Sequence, residues 1–234
     1  MNNPIMKHVN IVLMSVFAFF SLPVLSEASP ATHFGKHRLI IMADMGNEPD
    51  EMQQMIHMMT YANEFDIEGL IAVTGKYMRP DSPHGPYYRV THPELFIEII
   101  DAYSEVYENL KQHASGWPTP EYLRKKVKVG QKGYGIEAVK VGNGSPGSEL
   151  ILTALSKDDP RPIWVVVNAG SNTLAQALVD YQSNHTKAEM DELVSKLRVF
   201  ENGAQDNAGA WICHNFPDIH WIRSNFQTYS YGGP

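Results

Sequence analysis

The sequence predicts an α/β fold, a mainly parallel sheet with helices on both faces. Three observations carry this. Short β-rich runs alternate with helix-patterned stretches of about ten residues or more, the length that a crossover between parallel strands demands. The run "IWVVVN", residues 163–168, is apolar to its last residue, as a strand covered on both faces must be. No segment repeats at a fixed period, so a solenoid or propeller is excluded.

Residues 39–43 form the first strand candidate. A helix follows over 50–63 and places Met52, Met55, Ile56, Met59 and Ala62 on one face. "IEGLIAV", residues 67–73, is the second β-rich run. Pro93 opens a long helix to about 113, with Leu95, Ile99, Ala102, Val106 and Leu110 at helical spacing. "PTPEYLRKKV" reads as a short helix started by Pro120, and 146–157 as another that ends in the turn "KDDPRP". After the strand at 163–168 comes a helix over 172–181. Thr186 and Glu189 then make a capping box for one more. "LRVFE" and "IHWIR" complete the strands. The Gly- and Pro-rich connections at 79–86 and 130–147 are long enough to be functional loops.

Composition bounds the rest. A chain of 234 residues with 43% hydrophobic and 19% charged residues fills one sizeable globular domain. A net charge of -7 gives no reason to expect a nucleic-acid partner. The basic residues Arg124, Lys125, Lys126 and Lys128 gather on one short helix and read as a solvated face. Cys213 is the only cysteine, which excludes an internal disulfide and a thiolate metal cluster.

Lys7, an apolar run over 9–25 and the small-residue site Ser26-Glu27-Ala28 make a secretory signal cut after Ala28. The expected organisation is a signal peptide at 1–28, a linker at 29–37 and one domain at 38–234. The protein is then secreted or periplasmic, with no membrane attachment once the signal is removed.

The most informative stretch is "RLIIMADMGNEPDEMQ", where a strand opens into four acids within eight residues: Asp44, Glu48, Asp50 and Glu51. In open α/β sheets ligands bind outside the carboxyl ends of the strands, and Asp44 ends the first one. Asp50 and Glu51 sit in the first helical turn, where the helix dipole favours negative charge and where a plain cap is routine. That reading does not cover Asp44 and Glu48. Carboxylates this close repel unless a proton or a cation intervenes, and an oxygen-only set suits calcium before magnesium. A second strand, in "WVVVNAGSNTLAQAL", breaks into small polar groups that could face the same ion.

These segments, with "AQDNAGAWICHNFPDIHWI", resemble the nucleoside-hydrolase superfamily. The similarity is greatest to a secreted branch described as cellulose-binding proteins with a nucleoside-hydrolase-like domain. The resemblance implies calcium in the acidic loop, with Asp44 as ligand and general base. It places Glu51 where the family has a second, bidentate aspartate, and Asn172 near a residue that gives the metal a backbone carbonyl. Glu48, Asp50, Asp206 and Asn207 would bind the sugar. The implied reaction is hydrolysis of an N-glycosyl or related glycosyl bond, in which carboxylates stabilise an oxocarbenium-like state.

The chain departs from the pattern in three places. Six positions separate Asp44 from Asp50 where simple nucleoside hydrolases have four. Glu51 replaces an aspartate. The family's last aspartate ligand is expected beyond "SYGGP", so the domain reads as C-terminally incomplete. Two alternatives therefore stand beside the hydrolase. One is a carbohydrate- or cellulose-binding protein on the same fold, using Tyr87, Tyr88, Trp117 or Tyr134 without catalysis. The other is an inactive truncated homologue. The expected partner is a small-molecule glycoside or a polysaccharide, and a homo-oligomer is left open. His57 reads as structural. His84 and His92 are ordinary loop histidines on this reading, though either could protonate a leaving base.

Overall fold

The computed structural model describes residues 35–47, 49–78 and 90–225. The signal segment, Glu48 and the loop carrying His84, Tyr87 and Tyr88 lie outside the described residues.

Among the described residues six strands make one sheet: β1 (His37–Ala43), β2 (Phe65–Ala72), β3 (Val127–Val129), β4 (Ile163–Val167), β5 (Leu197–Asn202) and β6 (His220–Ser224). Their order is β3-β2-β1-β4-β5-β6, and every pairing is parallel. The helices among the described residues are α1 (Pro49–Met59), α2 (Pro93–His113), α3 (Pro120–Lys126), α4 (Pro146–Leu155), α5 (Asn172–Asn184), α6 (Lys187–Ser195) and α7 (Ala208–Asn215). The chain runs outward from β1 to β3, returns to lay β4 against β1, and runs outward again to β6. The order thus reverses between β1 and β4, and the connections leaving their carboxyl ends diverge there.

The period of two along β1 builds both cores. Leu39, Ile41 and Ala43 pack with Met55 and Met59 of α1 and with Phe96 and Ile100 of α2. Ile40 and Met42 turn the other way, toward Ile151 of α4, Leu174 and Leu178 of α5 and Ile212 of α7. A strand buried on both faces has no polar side to show, which accounts for its unbroken apolar run.

Arg38 is the exception on β1, fully buried and charged. A bulge between Leu39 and Ile40 leaves Glu68 of β2 without a partner in the register. Its carboxylate receives Arg38 Nε at 2.5 Å and also Lys157 Nζ. The other Arg38 nitrogens donate to the carbonyls of Arg161 and Ala154. Removing Glu68 would leave the buried Arg38 with only Asp159, at 3.6 Å, as a carboxylate partner, at a cost of about 3–5 kcal/mol. This network fastens the amino-terminal ends of the strands, at the edge opposite the site described below.

Several element ends differ from the sequence reading; the helix expected over 146–157 stops at Leu155, and the strand expected over 67–73 runs Phe65–Ala72. The first helix stops at Met59, because Thr60 N bonds both Ile56 O and His57 O and tightens the last turn; a separate 3-10 turn covers Ala62–Glu64. α5 continues to Asn184. Val127, read as the last residue of a helix, instead opens a strand, Val127–Val129, that pairs with Leu70–Ala72. The capping box at Thr186 and Glu189 is present. The connection at 130–147 is fastened across α5 by Gln131 Nε2 on Gln176 Oε1 (2.9 Å) and by Gly142 N on Asp180 Oδ1 (2.7 Å). No described helix is long and apolar enough to cross a membrane.

Candidate functional site

Parallel strands bring all their carboxyl ends to one rim, and the acids of the opening loop fall there. Asp44 follows β1 directly and is buried, 1% exposed. A turn closed by Asn47 N on Asp44 O (3.1 Å) carries the chain into α1, and Asn47 Nδ2 donates to Asp44 Oδ2 at 3.3 Å. Glu51, in the first turn of α1, is 4% exposed, and its Oε2 has no hydrogen-bond partner. Burial above all, then the charge of Asp44, then a hydrogen bond and charge from Asp50, push the Glu51 carboxyl up to about 10. A neutral Glu51 beside a buried Asp44 is what two crowded carboxylates reach when only a proton is available to separate them.

Around Asp44 runs a chain of side-chain amides. Asn168, immediately after β4, donates its Nδ2 to Gln54 Oε1 on α1. The Asn168 carbonyl accepts Gln205 Nε2 at 3.0 Å, and Gln205 Oε1 accepts Lys76 N at 3.2 Å. Gly75 lies inside this ring: a Cβ there would come within 2.5 Å of Asp44 Oδ2 and closer still to Gln205 Oε1. Tyr134 closes the outer side, its hydroxyl donating to Gln205 O at 2.6 Å. The sequence reading missed Gln54, Gly75 and Gln205, and took Asn168 only as a strand residue. The one available signal was position, since Asn168 breaks an apolar strand and Gln205 precedes Asp206 in a rim loop.

The β5–α7 loop reaches back over the rim through two consecutive left-handed residues, Gly203 (φ 76°) and Ala204 (φ 52°). For alanine that conformation costs about 1–2 kcal/mol. It delivers Asp206, 8% exposed, with both oxygens on backbone donors: Oδ1 accepts Ala208 N at 2.9 Å and Oδ2 accepts Asn172 N at 3.2 Å. Asp206 therefore caps the amino ends of α5 and α7 together. Burial raises its carboxyl to about 6, against the bonds from Ser171, Ala208 and Asn172 that favour the charged form.

Asn172 is fully buried as the first residue of α5, its Nδ2 donating to Gly133 O at 2.8 Å. Asn207 is exposed and holds the 130–147 loop, accepting Ile136 N at 2.8 Å and donating to Glu137 Oε1 at 3.0 Å. The expected residues thus fall in two groups on one rim, Asp44 with Asp50 and Glu51, and Asn172 with Asp206 and Asn207. His92 packs beside the acidic turn and bonds Glu94 through Nδ1 at 2.6 Å. Trp117 instead packs near Tyr103, with ring centroids 6.5 Å apart, among the residues that flank the α2 core.

No three His, Cys, Asp or Glu side chains among the described residues are grouped to hold a metal ion. The residues nevertheless fit a hard cation in part. Glu51 Oε2, buried and without a hydrogen-bond partner close to Asp44, is a carboxylate oxygen of the kind such an ion takes, and Asn47 Oδ1 is likewise buried without a partner.

A reversal of strand order with buried carboxylates at its carboxyl rim marks the candidate site of this α/β fold. Residues 38–233 match the family described as "Cellulose-binding Sde182, nucleoside hydrolase-like domain", and the chain belongs to that family. Among solved structures it is similar to a protein described as a nucleoside hydrolase-related hypothetical protein from Saccharophagus degradans that is associated with carbohydrate metabolism. The two share 42% identity and a TM-score of 0.74 over 82% of this chain. The match covers 44% of that chain, so this sequence spans under half its length. No curated protein matches.

Proposed function

We propose that the rim around Asp44 binds a glycoside and hydrolyses its N-glycosyl or related glycosyl bond with the help of a calcium ion. The observation that carries the proposal is the buried pair Asp44 and Glu51, where a Glu51 oxygen has no hydrogen-bond partner and where burial and the charge of Asp44 raise the Glu51 carboxyl. Asp44 and Glu51 would hold the ion, with the β4–α5 turn, where Asn172 lies, offering a carbonyl. Bound calcium supplies a Lewis acid that acidifies and fixes a water. Asp44 would be the base that takes a proton from a water held there. Glu48 and Asp50 are placed by the sequence to accept sugar hydroxyls, and Asp44 offers negative charge to the oxocarbenium-like state. Gln205 and Asn168 hold the wall against which the sugar rests. Asp206 and Asn207 contribute by fixing the loop that carries Gln205, since their own polar atoms are engaged by the protein.

The family description favours a second reading, in which the domain binds cellulose or a related glycan without cleaving it. Of the aromatic residues considered for that role and described, Tyr134 is the one that touches the rim. Either reading suits an extracellular protein, and export after cleavage behind Ala28 is part of the proposal. Purified protein should release base or aglycone from ribonucleosides and aryl ribosides in millimolar calcium, and Asp44→Asn should abolish release. Retention of the wild-type protein on cellulose, with no hydrolysis of any such substrate, would replace the hydrolase by the binding module.

A further inference from the structure

The basic cluster of the sequence does not stay together. Arg124 turns to Asp101, at 2.6 Å, and Lys125 is exposed. Lys126 and Lys128 instead face an open pocket of about 300 Å³, on whose rim Lys157 also lies. β3 is the edge strand, and Lys128 stands opposite Ile71, whose side chain belongs to the core under α4. Lys128 is therefore directed to the α4 side of the sheet. The apolar part of the lining is Pro146, Leu150 and Ala154 of α4.

Two carboxylates line the same pocket; Glu68 pairs with Lys157, and neither makes an ion pair with Lys126 or Lys128 among the described residues. Glu68 is buried and already bonded to Arg38 and Lys157. Glu149 lies exposed on the outer face of α4. Lys128 makes no ion pair among the described residues, and Lys126 lies 4.9 Å over the Tyr122 ring. Burial, followed by the charges of Lys157 and Lys128, lowers the Lys126 ammonium from its usual range in spite of Glu68. Lys126 and Lys128 are half-buried and stand over an apolar floor in a pocket with room for a small anion.

We propose that this pocket binds a small organic anion, its carboxylate or phosphate held between Lys126 and Lys128 and its carbon skeleton resting on Pro146, Leu150 and Ala154. A sugar acid and a sugar phosphate both have this chemistry. The site makes no use of the rim around Asp44. The bland alternative is that Lys128 only blunts an edge strand against pairing with other chains.

Calorimetric titration at low ionic strength with glucuronate, glucose 6-phosphate and glucose tests the proposal. One or both anions should bind, with a Kd on the order of 1 mM, and the preferred one identifies the source of the oxyanion. Glucose should not bind. Affinity should fall as salt is raised from about 0.01 to 0.15 M, as the screening length drops from roughly 30 to 8 Å. Lys128→Met, which keeps the apolar stem, should weaken binding about tenfold or more, and Lys126→Gln should do the same if Lys128→Met misfolds. Both variants should respond to calcium as the wild type does. Absence of anion binding, equal binding of glucose, or wild-type affinity in the folded variants would overturn the site.

Discussion

Asp206 accepts the backbone N–H of Asn172 at 3.2 Å, and through this bond the loop after β5 caps the helix that follows β4. With the second bond to Ala208 N, one carboxylate organises two helix starts on the binding rim. Replacement by alanine strips both caps. Asp206→Ala should destabilise the protein by about 2 kcal/mol, from about 1 kcal/mol for each cap, as read from urea unfolding. The pH sign is also fixed. The native carboxyl titrates near 6 and the unfolded one near 3.8, so between those values the native state holds more protons. Stability from this group is present at low pH and lost as pH rises through that window. Asp206→Asn should remove the slope, and an unchanged slope would mean that another group is responsible.

Glu51 gives a sharper case of the same linkage. In metal-free protein its carboxyl is pushed from 4.5 up to about 10. The native state keeps a proton that the unfolded chain releases, so stability should decline as pH rises across that range. Glutamine has the same shape and no proton to keep. In chelator, Glu51→Gln should be more stable than wild type at pH 7 to 9 and should show a flatter profile. Denaturant titrations at several pH values decide this, and parallel profiles would contradict it.

Gly75 should be intolerant for a local reason. A methyl group there meets Asp44 Oδ2 at 2.5 Å and also meets Gln205 Oε1. Both are side-chain ends and can yield, so Gly75→Ala should fold with a modest loss of stability, about 1 kcal/mol. What it displaces is the base and the amide wall. Glycoside turnover should fall much more than the melting temperature, and a variant with full activity would take Asp44 Oδ2 out of the proposed chemistry.

These predictions divide by what the sequence could disclose. Asp44 and Glu51 were legible because a strand end and a helix start adjoin them, and repulsion between near neighbours needs no fold to be recognised. Gln54 and Asn168 meet across 114 positions and Gln205 meets Asn168 across 37, and an uncharged amide gives no local sign of its partner. Asp206 read as a loop carboxylate because the N–H groups it caps belong to a distant turn. The strand at Val127–Val129 was hidden for a related reason: it has three residues and forms because β2 offers an edge.

The calcium proposal rests on Asp44. A ligand bound only by the folded state stabilises it in proportion to RT ln(1 + [L]/Kd). For an affinity like that of extracellular calcium modules, roughly 10⁻⁴ to 10⁻³ M, 5 mM calcium gives about 1–2 kcal/mol, which is a melting shift of a few degrees. Asp44→Asn should abolish that shift. In chelator the same variant should be as stable as wild type or more so, because it removes one of two crowded carboxylates. If the acids only decorate the start of α1, calcium will shift neither protein. Thermal scans of both proteins, with chelator and with calcium, separate these outcomes. Equal calcium shifts in wild type and Asp44→Asn would place the ion elsewhere and leave Asp44 without its proposed role.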